Sequence, residues 1–212
     1  FIITIFAKIP QIMISILDQE FSALNQYIEK ENPSQIFILA DENTHEKCIP
    51  LLLANLETEI PFEIIEIEAG EDAKNINTAT QLWEILSEFK ADRKSLLLNL
   101  GGGVITDMGG FVASTYKRGI KFLNIPTTLL AMCDASIGGK TGIDHQYLKN
   151  IVGTFANAEH ILVYPKFLET LAFVELRSGF AEMLKHGLIA CENHWNDLIA
   201  LNELTAENIA PH

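Results

Sequence analysis

Disulfide chemistry has little to work with in this chain. Cys48, Cys133 and Cys191 are its three cysteines. No two stand at a Cys-x-x-Cys spacing, so a cysteine zinc site and a disulfide framework are both excluded. Free thiols in a reducing compartment follow, and with them an expected cytoplasmic location. Cations are scarce as well: 15 Lys and Arg stand against 28 Asp and Glu, a formal net charge of −13. Nucleic-acid binding needs clustered Lys and Arg, so no nucleic-acid partner is expected. An anionic small molecule stays possible, because a few placed cations can hold phosphate inside an acidic protein. Long apolar runs are missing too. Residues 1–17 open apolar, but Lys8 and Pro10 interrupt them, and a membrane span needs about 20 apolar residues. No basic leader precedes a cleavage pattern there. The opening reads as two strand-like pieces, and no membrane partner is expected. The missing initiator Met is read as a start inside a longer chain.

Hydrophobic residues make up 48% of the 212 and charged residues 20%, a balance that supports a real core. Short apolar runs alternate with helix-like stretches. Strands are expected at Gln35–Ala40, Pro61–Ile67, Ser95–Leu100, Lys121–Ile125 and His160–Val163. Helices are expected at Glu42–Leu56 and Asn77–Phe89, the latter with Ala79, Leu82, Trp83, Ile85, Leu86 and Phe89 on one face. Nearly continuous apolar strands separated by helices indicate an α/β, Rossmann-like, mostly parallel sheet covered on both faces. From Val174 onward no strand signal remains, and Phe173–Cys191 and Asn196–Leu204 read as helices. The expected organisation is an α/β domain over 1–172, followed by the start of an α-helical domain over 173–212. About 40 residues are too few for a comfortable independent domain.

Three stretches carry chemistry. Gly101-Gly102-Gly103 follows a strand directly, and a helix can start at Val104. Glycines let a backbone approach a ligand, and a helix N-terminus offers unpaired N–H groups to an anion. The pattern is neither G-x-G-x-x-G, since Thr106 holds the third glycine's place, nor a P-loop. A tight, closely packed turn accounts for it equally well. Gly138-Gly139-Lys140-Thr141 looks like the tail of a P-loop, but Cys133 stands where the first glycine belongs. Taken alone, Ser136–Asp144 is a flexible loop with a solvated lysine. Arg118, Lys140, Lys149 and Lys185 are cations beside Gly-rich and polar segments, the type that clamps phosphate and carboxylate. Glu182 and His186 lie at i, i+4, a spacing that suits two metal ligands or an exposed charge pair.

The order of these pieces is more specific than any one of them. Gly101-Gly102-Gly103-Val104, Asp107, Gly109-Gly110-Phe111 and Arg118-Gly119 are followed by Pro126-Thr127-Thr128-Leu129-Leu130. Asp134, Gly138-Gly139-Lys140-Thr141-Gly142, Lys149-Asn150 and Gly179-Phe180-Ala181-Glu182 with Lys185 complete the set. Upstream stand Asp41-Glu42-Asn43 and Gly70-Glu71-Asp72-Ala73-Lys74. From about Ile36 to Leu188 the chain resembles 3-dehydroquinate synthase, a lyase of the shikimate pathway that feeds chorismate and aromatic amino acid biosynthesis. The resemblance implies NAD and a zinc or cobalt ion as cofactors. It implies that Asp41, Glu71 and Lys74 hold the adenosine side of NAD. Gly102, Gly103 and Val104 would meet the pyrophosphate, with Asp107 nearby. Thr127, Thr128, Leu129, Lys149, Phe167 and Thr170 would complete the cofactor site. Asp134, Lys140, Asn150 and Lys185 would touch a phosphorylated sugar acid. Arg118 would reach its phosphate across a homodimer interface, and Glu182 would be a metal ligand. The implied reaction converts 3-deoxy-D-arabino-heptulosonate 7-phosphate to 3-dehydroquinate and phosphate.

The resemblance implies two further metal ligands, both histidines, one of them from an Asn-Phe-Gly-His-Thr-x-Gly-His-like stretch; no such stretch is found in the sequence, and His186, His194 and His212 have the wrong surroundings. The chain is therefore expected to be the N-terminal portion of such an enzyme, inactive by itself. Two alternatives stay open: another sugar-phosphate cyclase of the same superfamily, and a module that holds NAD without catalysis. Glycerol and iron-containing alcohol dehydrogenases are more distant, because Met108-Gly109-Gly110-Phe111 occupies a region where they are expected to carry a lysine.

Overall fold

The computed structural model describes residues 13–212. The first of the two strand-like pieces expected at the start lies outside them. The second is β1 (Met13–Ile16). Helix α1 (Ser22–Glu31) follows and buries Leu24 and Ile28. Then β2 (Ile36–Asp41) runs through five buried residues.

The single helix expected over Glu42–Leu56 is two. Helix α2 (Glu42–Lys47) begins at a reciprocal cap, in which Asp41 Oδ1 accepts from Thr44 N at 2.8 Å and Thr44 Oγ1 accepts from Asp41 N at 2.9 Å. Helix α3 (Ile49–Asn55) starts anew with Pro50 in its first turn. Proline has no N–H to give to the preceding turn, so the chain breaks at Cys48.

Next come β3 (Phe62–Ile67), α4 (Ile76–Glu88), β4 (Leu96–Gly101), α5 (Gly103–Thr115) and β5 (Lys121–Pro126). The expected flexible loop at Ser136–Asp144 is a correction. Its second half is β6 (Lys140–His145), which pairs antiparallel with β7 (Leu148–Phe155). Two glycines and three charged residues mask the strand period of this hairpin in the sequence. After β8 (His160–Val163) only helices remain among the described residues: α6 (Phe173–Ala190), α7 (Glu192–Ile199) and α8 (Ala206–Ile209). The helix expected over Asn196–Leu204 thus starts earlier and ends at Ile199. No helix among the described residues is long and apolar enough to cross a membrane.

Six strands form one all-parallel sheet in the order β1-β8-β5-β4-β2-β3. Side chains alternate between its faces. Phe37, Leu39 and Leu97 pack against Ala79, Leu82, Ile105, Met108 and Phe111 on one side. Ile36, Ile38, Leu96, Leu98 and Leu123 pack against Leu24, Ile28, Ile49 and Leu52 on the other. This is the doubly covered parallel sheet expected from the apolar strands.

One rung breaks the apolar pattern. Asn99 and Asn124 face each other in adjacent strands, and Asn99 Nδ2 donates to Asn124 Oδ1 at 2.9 Å. Gly109 of α5 lies directly over them. A Cβ there would stand 1.9 Å from Asn99 Oδ1, so this glycine lets the helix close down on the buried amides.

Candidate functional site

Ligands of open α/β sheets sit beyond the carboxyl ends of the strands, where the chain order reverses. Here β4 lies between β5 and β2, and the ends of all three meet. Asp41 ends β2, Gly101 ends β4, and Thr127 follows β5 with its N–H bonded to Gly101 O at 3.0 Å. Gly102 caps α5 without any side-chain bond. The first N–H groups of a 13-residue helix therefore point out of the sheet unpaired.

They open on a cavity of about 580 Å³, a size typical of small-molecule sites. Asp41, Glu71, Lys74, Gly102, Gly103, Val104, Asp107, Thr127, Thr128, Phe167 and Thr170 all line it. Two expected members stand apart. Leu129 is buried under α6, and Leu130 lines the wall in its place. Lys149 is exposed and approaches the cavity through Glu71, 3.1 Å away. Lys47 and Glu175 also line the cavity. Neither stands in a stretch that the sequence singles out, because each belongs to a helix whose inward face is set by packing.

A second cavity of about 580 Å³ shares Asp107 with the first. Asp134, Lys140, Thr141 and Asn150 line it. Burial pushes the Asp107 carboxyl above its ordinary range, while the Lys74 ammonium 2.6 Å away pulls it back. Asp134 sits on a wide turn, Ala131–Ala135, in which Ser136 N reaches Ala131 O. Such π-type turns concentrate at functional sites. The turn is anchored from below, since Asn124 Nδ2 donates to Ser136 O at 3.2 Å. The buried asparagine rung thus supports the Asp134 turn.

Helix α6 brings the third group. Gly179 packs on Leu129 and Leu130, which sets α6 against the turn that carries Asp134. Glu182 Oε1 lies 3.1 Å from His186 Nε2 and also contacts the Lys185 ammonium. That lysine holds the Glu182 carboxyl below the usual carboxylate range. One ligand atom each from Asp134, Glu182 and His186 lies within 4.8 Å of the others. Two carboxylates and an imidazole suit zinc or cobalt. The sequence alone left Glu182 without an assured partner; the structure places two beside it. The neighbouring Cys133 thiol is pushed up to about 11 by burial, so it stays protonated at neutral pH. Arg118 lines neither cavity. It is exposed, on a turn with φ of 69°.

A 3-dehydroquinate synthase from Parabacteroides distasonis is 42% identical over 199 residues, covering 89% of this chain and 56% of that protein. The chain spans about half the length of the curated relatives it matches. Among solved structures, 2-epi-5-epi-valiolone synthase (ValA) from Streptomyces hygroscopicus subsp. jinggangensis 5008, with NAD⁺ and Zn²⁺ bound, superposes with a TM-score of 0.77. It is 32% identical, with coverage of 88% of this chain and 52% of that one. A 2-deoxy-scyllo-inosose synthase complexed with carbaglucose-6-phosphate, NAD⁺ and Co²⁺ shares the fold, at a TM-score of 0.73 and 22% identity over 83% of this chain and 48% of that one. The profile described as 3-dehydroquinate synthase N-terminal matches residues 64–178. That span takes in the glycine turn, the Asp134 turn and the hairpin between them and α6, and by it the chain belongs to the 3-dehydroquinate synthase N-terminal family.

Proposed function

We propose that this chain is the NAD-holding part of a 3-dehydroquinate synthase, acting on 3-deoxy-D-arabino-heptulosonate 7-phosphate. The observation that carries the reading is the uncapped N-terminus of α5, opening on a cavity lined by every expected cofactor residue except Leu129 and Lys149. The pyrophosphate would lie against the N–H groups after Gly102, where the helix dipole favours an anion. Asp41 and Glu71, which line the same cavity, would accept from ribose hydroxyls. Bound NAD⁺ and metal supply a hydride acceptor and polarisation of an alcohol oxygen. The second cavity takes the substrate. Lys140 neutralises phosphate or carboxylate there, and Asp134 and Asn150 orient hydroxyls. Glu182, Asp134 and His186 form the metal-holding edge. Lys185, which contacts Glu182, would be free to meet the substrate if Glu182 held a metal.

Residues 173–212 are read as the beginning of a helical domain that pairs with this cofactor domain. Arg118, exposed and away from both cavities, serves a second copy in a homodimer. The valiolone synthase likeness supports a second reading, a different sugar-phosphate cyclase on the same scaffold. The 42% identity to a 3-dehydroquinate synthase over most of the chain favours the first.

Calorimetric titration of the 212-residue chain with NAD⁺ tests the cofactor site. Saturable binding is expected, weakened about tenfold by Glu71→Ala if one ribose hydrogen bond to a carboxylate is lost. Undiminished binding in Glu71→Ala and in Gly103→Val together would reject the assignment. With zinc and the heptulosonate phosphate added, no sustained phosphate release is expected from this chain. Steady turnover would show that these residues suffice for catalysis.

A further inference from the structure

Lys74 is buried, 3% exposed, and its ammonium sits between the two cavities. Nζ donates to Asp107 Oδ2 at 2.6 Å and to Asn150 Oδ1 at 2.6 Å. Lys74 lines the first cavity, Asn150 the second, and Asp107 both. The backbone ties the same place together. Asp144 N donates to Lys74 O at 2.8 Å, and Asn150 N donates to Asp144 Oδ1 at 2.7 Å. Asn150 itself has a φ of 54°, beside a register slip between Ile143 and His145. A non-glycine residue with positive φ inside a strand carries strain that surrounding contacts must hold. Two contacts hold it: the Lys74 ammonium on its side-chain oxygen and the Asp144 carboxylate on its backbone N–H.

The chemistry of the contact sets the amide's direction. An ammonium has only donors, so the Asn150 atom facing it must be Oδ1. Nδ2 then points away, and among the described residues it has no protein partner. An ammonium also has three protons, and Asp107 and Asn150 take two. The third is left for an acceptor in the first cavity.

We propose that Lys74 is a positioning residue that latches the β6–β7 hairpin to α5 and orients Asn150 as a hydrogen-bond donor into the second cavity. The latch selects occupants that present an acceptor oxygen there: phosphate, carboxylate or a hydroxyl lone pair. A first-cavity ligand that accepts the third proton stiffens the same ammonium, so ordering of the two cavities is linked. The donor role rests on the reading of the second cavity as the substrate side; the latch does not.

Hydrogen exchange of the 212-residue protein, read by mass spectrometry, tests the latch. Asn150 is exposed, so Asn150→Ala removes one end without opening the core. Asn150→Ala and Lys74→Met are both expected to speed exchange about tenfold over Lys140–Phe155, with β4 and β5 unchanged. Lys74→Arg, which keeps two donors, is expected to restore part of the protection. Unchanged hairpin exchange in Asn150→Ala, or an equal rise throughout the chain in both variants, overturns the latch. Asn150→Asp separates the two roles, since it keeps an acceptor for Lys74 and loses the donor. Its hairpin is expected to stay protected while affinity for inorganic phosphate, the calorimetric probe, falls about tenfold. Equal phosphate affinity in wild type and Asn150→Asp overturns the donor role. A wild type that binds no phosphate, with the exchange pattern intact, overturns the donor role and the substrate reading while leaving the latch.

Discussion

Gly179→Ala is expected to lower the melting temperature by about 4–12 °C, following a loss of about 2–3 kcal/mol from overpacking. A Cβ at position 179 would stand 2.5 Å from Leu129 Cβ and 2.5 Å from the Leu130 backbone nitrogen. Neither is the free end of a flexible side chain, so α6 itself must move. The third core cluster joins Leu129, Leu168, Leu176 and Met183 across this contact and has no slack to absorb a methyl. The damage reaches the candidate metal edge as well. Asp134 is on one side of the contact, and Glu182 and His186 are on the other. Zinc affinity is therefore expected to fall although no ligand is touched. Thermal unfolding followed by circular dichroism reads the first effect, and a zinc titration reads the second. A melting temperature within about 1 °C of wild type would show that α6 is not seated by this glycine.

Glu182→Gln is expected to weaken zinc or cobalt binding to the 212-residue chain by about 100-fold or more. Loss of an outer partner alone costs 10–100-fold, and loss of a charged direct ligand costs at least as much. Glu182 is the central member, since it contacts His186 and is held ionised by Lys185. His186→Asn is expected to follow it closely, and Asp134→Asn less so, because Asp134 is exposed. Visible absorption of bound cobalt reports geometry as well as affinity. A four-coordinate spectrum that survives both Glu182→Gln and His186→Asn would place the ion elsewhere.

Much of the sheet was legible because it obeys local rules. Ile36–Ala40 is apolar without interruption and Leu96–Leu100 is apolar but for Asn99, a pattern that suits a strand covered on both faces. Gly101–Gly103 marks a place where a strand turns at once into a helix. Pro50 was equally legible as a helix break, yet apolar spacing across it suggested one helix. The β6–β7 hairpin was not legible. Its glycines and charges look like a loop, yet its two halves pair, and Lys74 and Ser114 hold the pair from outside. The site divides in the same way. Residues next to the glycine turn follow from the motif. Leu130 lines the cavity where Leu129 was expected, because successive residues of the turn they enter point about 100° apart, and packing under α6 buries Leu129.

The sequence by itself determined the family, the parallel sheet and the glycine turn from β4 into a helix, since each depends on residues near one another in the chain. Cation scarcity already limited the role of charge to a few placed lysines. Tertiary structure alone decided what those lysines do. Lys74 stands 76 positions before Asn150 and 33 before Asp107, and Asp134 stands far in sequence from Glu182 and His186. No local propensity encodes such meetings. They arise because the β4–α5 turn and the close seat of α6 at Gly179 bring strand ends, hairpin and helix to one edge of the sheet, where paired charges replace the water they lost on burial.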